Sequence, residues 1–131
     1  VHVSRERARI RHIANGDALA AVWQRHGFVA QVMEDKTLAE QAALMRGARL
    51  IGGIHGAGLA NMLFMPRGGS VIEIRQIERV PDCFFTLASA LGHRYFLVEG
   101  QGAQEGVHPH AADLLVDPAA LDRALEAAAG A

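Results

Sequence analysis

One histidine of this sequence lies among glycines, in a pattern that suggests chemistry. The stretch IGGIHGAGLANMLFMPRGG, residues 51 to 69, places His55 between an apolar run and the glycines Gly56 and Gly58. Glycines remove side chains where a backbone turns and approaches another group closely. If a helix begins there, the amides of about Ala57 to Leu59 and the helix dipole favour an anion such as a diphosphate. His55 would then donate a hydrogen bond to a phosphate oxygen, although an ordinary, partly buried histidine in a tight turn fits the same spacing.

A run of arginines near the start of the chain offers a second group for binding an anion. Four arginines occur within seven residues: Arg5, Arg7, Arg9 and Arg11. Guanidinium groups suit bidentate contacts with phosphate, but such a row also occurs on solvated surfaces. We therefore expect one or two of them to face a ligand and the others to face water.

Four further residues carry reactive or ionisable groups. Glu73 ends a buried-looking strand, so it needs a partner, either ribose hydroxyls or an arginine of the first loop. His108 and His110 have a spacing found in metal sites, but they lie in a glycine-rich loop without a nearby third ligand, so we expect no metal there. Cys83 is the only cysteine, and we expect a packed thiol rather than a nucleophile.

The elements that would position these groups alternate between strand and helix. Strand patterns cover residues 1–3, 28–33, 48–54, 70–75 and 94–99, and helix patterns cover 15–26, 37–46, 59–64, 83–91 and a segment from Pro118 onward. Asn15 is a good N-cap, and Thr37 with Glu40 forms a capping box. This order predicts a Rossmann-like, doubly wound parallel sheet of about five strands in one α/β domain, residues 1–131. In such sheets ligands bind beyond the carboxyl ends of the strands, which is where the glycine turn and the arginine run begin.

Composition narrows the function classes. The chain has 131 residues, half of them hydrophobic, and a formal net charge of −1, so it can fold without metals or disulfides and lacks the basic character of nucleic-acid-binding proteins. No apolar stretch is long enough for a transmembrane helix, and we expect a cytoplasmic protein, with peripheral membrane association left open. The chain opens at VHVSRERA without a preceding element, so we expect a fragment of a longer protein.

Two stretches together resemble a known family. SRERARIRHIAN and FVAQVMEDKTLAEQAALMRGARLIGGIHGAGLANMLFMPRGGSVIEI are similar, in the same order, to the C-terminal part of glycosyltransferase family 61, also called DUF563. The similarity spans about residues 3 to 75. The family includes bacterial capsular-polysaccharide proteins and eukaryotic xylosyl- and N-acetylglucosaminyltransferases.

The resemblance implies the C-terminal half of a GT-B glycosyltransferase, which holds a nucleotide-sugar donor, while a missing N-terminal domain holds most of the saccharide acceptor. The implied donor-binding residues are Ser4, Arg5, Arg11, Asn15, His55, Gly56, Ala57, Gly58, Leu59, Asn61 and Glu73, of which His55 and Arg5 are also catalytic. A Glu-Gln pair of the family falls on Glu40 and Gln41. Members often carry an acid directly after the asparagine, whereas this sequence has Gly16 and then Asp17.

Plainer interpretations of three motif residues stay open. Asn15 can be only an N-cap, Glu40 only half of a capping box, and Asn61 only a bond to a neighbouring turn.

The resemblance also implies inverting chemistry, in which an acceptor hydroxyl attacks the anomeric carbon while the nucleoside diphosphate leaves. We expect the helix N-terminus, His55 and an arginine to stabilise the leaving phosphates in place of a metal, with no further cofactor and with the general base supplied by the missing domain. The implied role is surface or capsular polysaccharide synthesis. Two other classes remain: a non-catalytic nucleotide-binding module, and an interaction protein built on a flavodoxin-like sheet.

Overall fold

A computed structural model describes residues 1–10, 12–77, 81–103, 106 and 113–130. The strands are β1 His2–Val3, β2 Ala30–Gln31, β3 Leu50–Ile54, β4 Ser70–Arg75, β5 Arg94–Gly102 and β6 Leu114–Val116. The α-helices are α1 Gly16–Arg25, α2 Leu38–Met45, α3 Cys83–Leu91 and α4 Pro118–Ala129. Two 3₁₀ helices, Met33–Asp35 and Ala57–Phe64, complete the set.

The strands form one sheet in the order β2-β1-β3-β4-β5-β6. The pairs from β2 to β5 are all parallel, which confirms the predicted parallel sheet, and the order 2-1-3-4-5 is that of flavodoxin-like doubly wound folds. The chain reverses its direction across the sheet between β1 and β3, the place where such folds bind ligands.

The sixth strand departs from the prediction. β6 pairs with β5 in the antiparallel direction, with Gly100 opposite Val116. Its three residues alternate between buried and exposed, as in a half-covered edge strand, and so short a segment carries too little periodicity to be recognised in sequence. β5 is also longer than expected, because it runs on to Gly102.

Helices cover both faces of the sheet, as predicted. On one face α1 and α4 pack against the strands through Leu19, Val22, Trp23, Leu121 and Leu125. On the other face the cover comes from α2, the 3₁₀ helix Ala57–Phe64 and α3, through Met45, Leu59, Met62 and Ala88.

Two glycines in the fully buried strand β3 bring these layers together. A Cβ on Gly52 would lie 2.5 Å from the Trp23 ring, and one on Gly53 would lie 2.7 Å from the Val3 carbonyl oxygen. Because both distances are shorter than real contacts, β3 needs glycine here to pack against α1 and β1. The strand predicted at 48 to 54 is therefore found as the shorter central strand Leu50–Ile54, whose composition is set by close packing.

Several local predictions are confirmed and others are wrong. The capping box is present, with Thr37 N donating to Glu40 Oε2 at 2.8 Å and Glu40 N to Thr37 Oγ1 at 3.2 Å. Asn15 precedes α1 but makes no capping bond, since its side chain bonds to β6 instead. Cys83 is the first residue of α3 and is exposed, so the expected packed thiol is wrong. The predicted strand 28–33 shrinks to Ala30–Gln31, and the predicted helix 59–64 is a 3₁₀ helix that begins at Ala57.

Candidate functional site

The first side of the site is the turn that follows β1. Ser4 continues the β1–β2 pairing through a bond from its amide to Gln31 O, 2.9 Å. Its side-chain oxygen then accepts a hydrogen bond from the Glu6 amide at 3.2 Å, and the Ala8 amide bonds to Arg5 O at 2.9 Å. The chain thus turns tightly at the carboxyl end of β1 and holds Arg5 at the edge of the sheet.

The second side is the glycine turn after β3. Gly56 has an extended backbone, so its conformation alone does not require glycine. A Cβ there, however, would lie 2.4 Å from Arg5 Nη1, and a Cβ on Gly58 would lie 2.6 Å from Val3 Cγ1. The two glycines therefore let the turn approach β1 and the Arg5 guanidinium directly.

The 3₁₀ helix Ala57–Phe64 begins at this turn. Its first hydrogen bond runs from the Leu59 amide to Gly56 O, 3.0 Å. The Ala57 and Gly58 amides precede that bond, as the first amides of a helix do. The sequence predicted that three amides, those of 57 to 59, would face an anion, but the third is already bonded within the helix.

These two turns enclose a cleft of about 220 Å³, which we call the turn cleft. It is lined by Ser4, Arg5, Glu34, Gln41, Gly56, Ala57, Gly58 and Asn61, together with Val3, Met33 and Ile54. A cation and the start of a helix thus converge on one small volume, which is an arrangement suited to a phosphate group.

Arg5 is the basic side chain that lines the turn cleft. Its Nη2 donates to Ile10 O at 3.2 Å, and its buried Nε has no hydrogen-bond partner among the described residues. Burial lowers the pKa of Arg5, while the negative charge of Glu34 acts in the opposite direction. An arginine stays protonated despite such a shift, so the cleft contains a partly desolvated cation.

An amide network joins the far wall of the turn cleft to the glycine turn. Gln41 Nε2 donates to Met33 O and to Lys36 O, both at 3.1 Å. Asn61 Nδ2 donates to Gln41 Oε1 and to Gly58 O, both at 3.0 Å. Two side chains therefore fix the positions of two separate backbone segments around the cleft.

A second polar cluster lies next to the turn cleft, inside the protein. Glu73, fully buried on β4, accepts a hydrogen bond from Tyr95 at 2.6 Å, and its other oxygen lies 2.6 Å from His55 Nδ1. Arg75 Nε lies 3.7 Å from the same carboxylate, and the Phe84 ring packs edge-on against His55 with centroids 5.0 Å apart. We call His55, Glu73, Arg75 and Tyr95 the Glu73 network.

The Glu73 carboxyl group is the centre of the Glu73 network. A carboxylate only accepts hydrogen bonds, so an ionised Glu73 pairs with a His55 ring that carries a proton on Nδ1. Burial raises the pKa of Tyr95 well above its usual value, and the hydrogen bond to Glu73 and its charge add to this rise. Tyr95 therefore remains a donor to Glu73 at any physiological pH.

The sequence is also similar to known proteins. The family model described as Glycosyltransferase 61 matches residues 1–72. The chain belongs to glycosyltransferase family 61. The EGF domain-specific O-linked N-acetylglucosamine transferase of Drosophila melanogaster is 30% identical over an alignment of 110 residues, which covers 79% of this chain and 21% of that protein. The chain thus spans about a fifth of the length of that relative.

The motif residues of this family 61 chain divide between the two clusters. Ser4, Arg5, Gly56, Ala57, Gly58 and Asn61 all line the turn cleft, so the predicted meeting of the arginine and glycine turns is found. His55 and Glu73 do not line it: the histidine is 7% exposed and turned toward Glu73, which has no exposed surface. Direct contact of either with a donor stays a prediction.

Of three further motif residues, two lie away from the turn cleft and one lies outside the described residues. The Leu59 side chain is fully buried in the core below the 3₁₀ helix. Asn15 exchanges two hydrogen bonds with the Val116 backbone, at 2.7 and 3.2 Å, and joins the start of α1 to β6. Arg11 lies outside the described residues, as do His108 and His110.

Sequence reasoning missed four residues that the structure places in these clusters. Glu34 lines the turn cleft, and Arg75, Tyr95 and Phe84 complete the surroundings of Glu73 and His55. The need of Glu73 for a partner was a usable signal, but its partners come from β4, β5 and the glycine turn rather than from the first loop. Gln41 was predicted only as a member of the family's Glu-Gln pair, without a role in the cleft.

A second, larger cleft of about 410 Å³ adjoins the first across Ser4 and Arg5 and extends beneath α1. Its floor is apolar, with Leu19, Trp23, Ile54 and Ile74, and its rim carries Glu6, His12 and Asp17. Within the described part of the chain, no group of three or more His, Cys, Asp or Glu side chains could hold a metal ion. No described helix is long and apolar enough to cross a membrane.

Proposed function

We propose that this chain binds the nucleoside diphosphate part of a nucleotide-sugar donor in the turn cleft and forms the donor-binding half of a glycosyltransferase. The observation that carries the proposal is the contact of Arg5 with the glycine turn, where a Cβ on Gly56 would lie 2.4 Å from Nη1. Membership of family 61 supports a sugar transfer, and the position between β1 and β3 is where doubly wound sheets bind ligands.

The chemistry we propose is a single displacement with inversion. An acceptor hydroxyl forms the new bond to the anomeric carbon, the bond to the terminal phosphate oxygen breaks, and the electron pair leaves with the nucleoside diphosphate. Arg5 and the Ala57 and Gly58 amides would stabilise the growing charge on the leaving phosphates. The base that takes the acceptor proton comes, in this proposal, from the N-terminal part of the enzyme.

We propose that no metal is needed for donor binding. The charge that a divalent cation would neutralise is met by Arg5 and by helix amides, which are a recurring way to hold a diphosphate. Binding that is unchanged by EDTA would support this, and a strict requirement for Mn²⁺ would contradict it.

The acceptor and the sugar are further proposals. The name of the Drosophila relative makes N-acetylglucosamine the first donor sugar to test, with a protein acceptor such as an EGF domain. A capsular or surface polysaccharide acceptor, made in the cytoplasm, is the alternative that the bacterial members of the family suggest.

A non-catalytic nucleotide-binding module is the second candidate. The position of His55 favours it, because its ring is buried against Glu73 and lines neither cleft. Such a module would bind the nucleotide but transfer no sugar in the full-length protein, whereas the transferase would do both.

Calorimetry with a nucleoside diphosphate and its monophosphate tests the proposal. We expect the diphosphate to bind more tightly, and Arg5→Gln to weaken it by about 10- to 100-fold, the usual value of a charged hydrogen-bonding group. Arg9→Gln is the matched control, because Arg9 is exposed on the same segment and does not line either cleft. Equal losses in both variants would mean that the general positive charge, and not the Arg5 site, holds the ligand.

A further inference from the structure

The turn cleft contains a carboxylate that an anion site alone would not require. Glu34 lines the cleft together with Arg5, and its charge acts on the Arg5 guanidinium. A negative side chain repels a diphosphate, so its presence opposes the binding proposed for Arg5 and the helix amides. A compensating contact with some other part of the ligand would explain why the carboxylate lies there.

The backbone on both sides of Glu34 is fixed by one side chain. Gln41 Nε2 donates to the carbonyl oxygens of Met33 and Lys36, each at 3.1 Å. Gln41 Oε1 accepts from Asn61, which also donates to Gly58 O at 3.0 Å. The turn that carries Glu34 and the turn that would hold the phosphates are therefore linked through two amide side chains, of which Gln41 is half-buried and Asn61 is buried.

The two residues next to Glu34 in the sequence make contacts away from the cleft. The Met33 side chain is 4% exposed and packs in the core, and Asp35 pairs with Arg7 of the first loop. Glu34 itself is exposed and faces the cleft. Hydrogen bonds, core packing and an ion pair therefore hold this surface turn in place, and one carboxylate faces the cleft. Such support from neighbouring groups is what a preorganised binding site requires.

We propose that Glu34 binds hydroxyl groups of the donor sugar, and that Gln41 and Asn61 are positioning residues that hold it at a fixed distance from the phosphates. The inference rests on the proposed function. The sugar of such a donor is joined to the terminal phosphate through a single oxygen atom, so its hydroxyl groups lie beside the diphosphate. An ionised carboxylate has two oxygens that accept hydrogen bonds from neighbouring hydroxyls.

The proposal predicts opposite effects on two ligands. In Glu34→Ala, a free nucleoside diphosphate should bind about threefold more tightly, because a repulsive charge is removed. The matching nucleotide-sugar should bind about threefold more weakly, because lost hydrogen bonds outweigh that gain, so the affinity ratio changes by about tenfold. A merely structural role would shift both affinities in the same direction.

The experiment is calorimetry with two ligand pairs, UDP with UDP-N-acetylglucosamine and GDP with GDP-mannose. Asp35→Asn is the control, since it makes the same change in charge one residue further along, on a side chain that pairs with Arg7. Its affinity ratio should match that of the wild type.

The outcomes separate the two proposals. If none of the four ligands binds the wild-type protein, the proposed function is wrong. If a diphosphate binds and Arg5→Gln weakens it, but Glu34→Ala leaves the affinity ratio unchanged, the diphosphate site stands and the role of Glu34 is overturned.

Discussion

The turn cleft and the Glu73 network begin at neighbouring residues of the chain but have different surroundings. Gly56 lies against Arg5 at the edge of an open cleft, whereas His55 is 7% exposed and bonded to a carboxylate with no exposed surface. Successive residues at the end of a strand point to opposite sides, so a contiguous motif does not form a contiguous site. One half of the motif can therefore contact a ligand while the other half holds the turn in place.

This division assigns different consequences to the two halves. Changes in the Glu73 network should reduce stability and leave the affinity of folded molecules nearly unchanged. Changes around Arg5 should weaken ligand binding and leave stability nearly unchanged.

The largest expected effect is on stability, in Glu73→Gln. The substitution removes the negative charge that His55 and the buried Arg75 face, and breaking a buried ion pair typically costs about 3–5 kcal/mol. Urea unfolding followed by circular dichroism measures this loss. Glu99→Gln on the exposed side of β5 is the control and should change the free energy of unfolding by less than about 0.5 kcal/mol. A Glu73→Gln protein as stable as the control would show that the network carries little energy.

The next effect is on affinity, in Gly56→Ala. The new Cβ would meet Arg5 Nη1, the end of a flexible side chain, so the guanidinium should move while the fold remains intact. We expect diphosphate binding about tenfold weaker, by calorimetry, with a free energy of unfolding within about 1 kcal/mol of the wild type. In Gly47→Ala, where a Cβ meets nothing within 4 Å, affinity should not change. A Gly56→Ala protein that binds normally would remove the Arg5 contact from the site.

The smallest effect concerns a histidine–carboxylate pair on the surface. His26 lies 2.7 Å from Asp122, nearly the His55–Glu73 separation, and Arg25 is a further partner at 3.2 Å. Hydrogen bonds from His26 and then Arg25 lower the pKa of Asp122 below its ordinary value of 3.8. The pair therefore adds stability above pH 3.8 that is lost as the pH falls through the lowered pKa.

The measurement is the melting temperature of the wild type and of Asp122→Asn between pH 6 and pH 2. The wild type should be slightly more stable at pH 6, and the two curves should converge at the acid end. Curves that stay parallel throughout would mean that Asp122 gains nothing from its partners.

Much of the architecture follows from patterns within the sequence. The helices α1, α2, α3 and α4 have clear caps or apolar periodicity, and the run at 48 to 54 has the composition of a buried strand. The meeting of Arg5 with the glycine turn follows from topology, since parallel strands bring their carboxyl ends to one edge.

What the sequence did not reveal depends on long-range contacts. Asn15 looks like an N-cap in any local window, and only the position of β6 explains why its amide bonds to Val116 instead. In the sequence Glu34 is an ordinary surface acid, and only the fold shows that Gln41 and Asn61 hold its turn at the cleft. Local patterns contain no information about partners brought together only by folding.

The bond between Asn15 and Val116 also bears on the time that folding takes. Its two ends are 101 residues apart, and α1 shares its core with Leu121 and Leu125 of α4. At a synthesis rate of roughly 5–20 residues per second, the apolar face of α1 is made on the order of 5–20 s before the α4 residues that pack against it. We expect a ribosome-bound chain stalled before β6 to be cleaved within α1 by protease, and the full-length chain, after its release, to be resistant. Resistance of the stalled chain would show that α1 packs against another segment during synthesis.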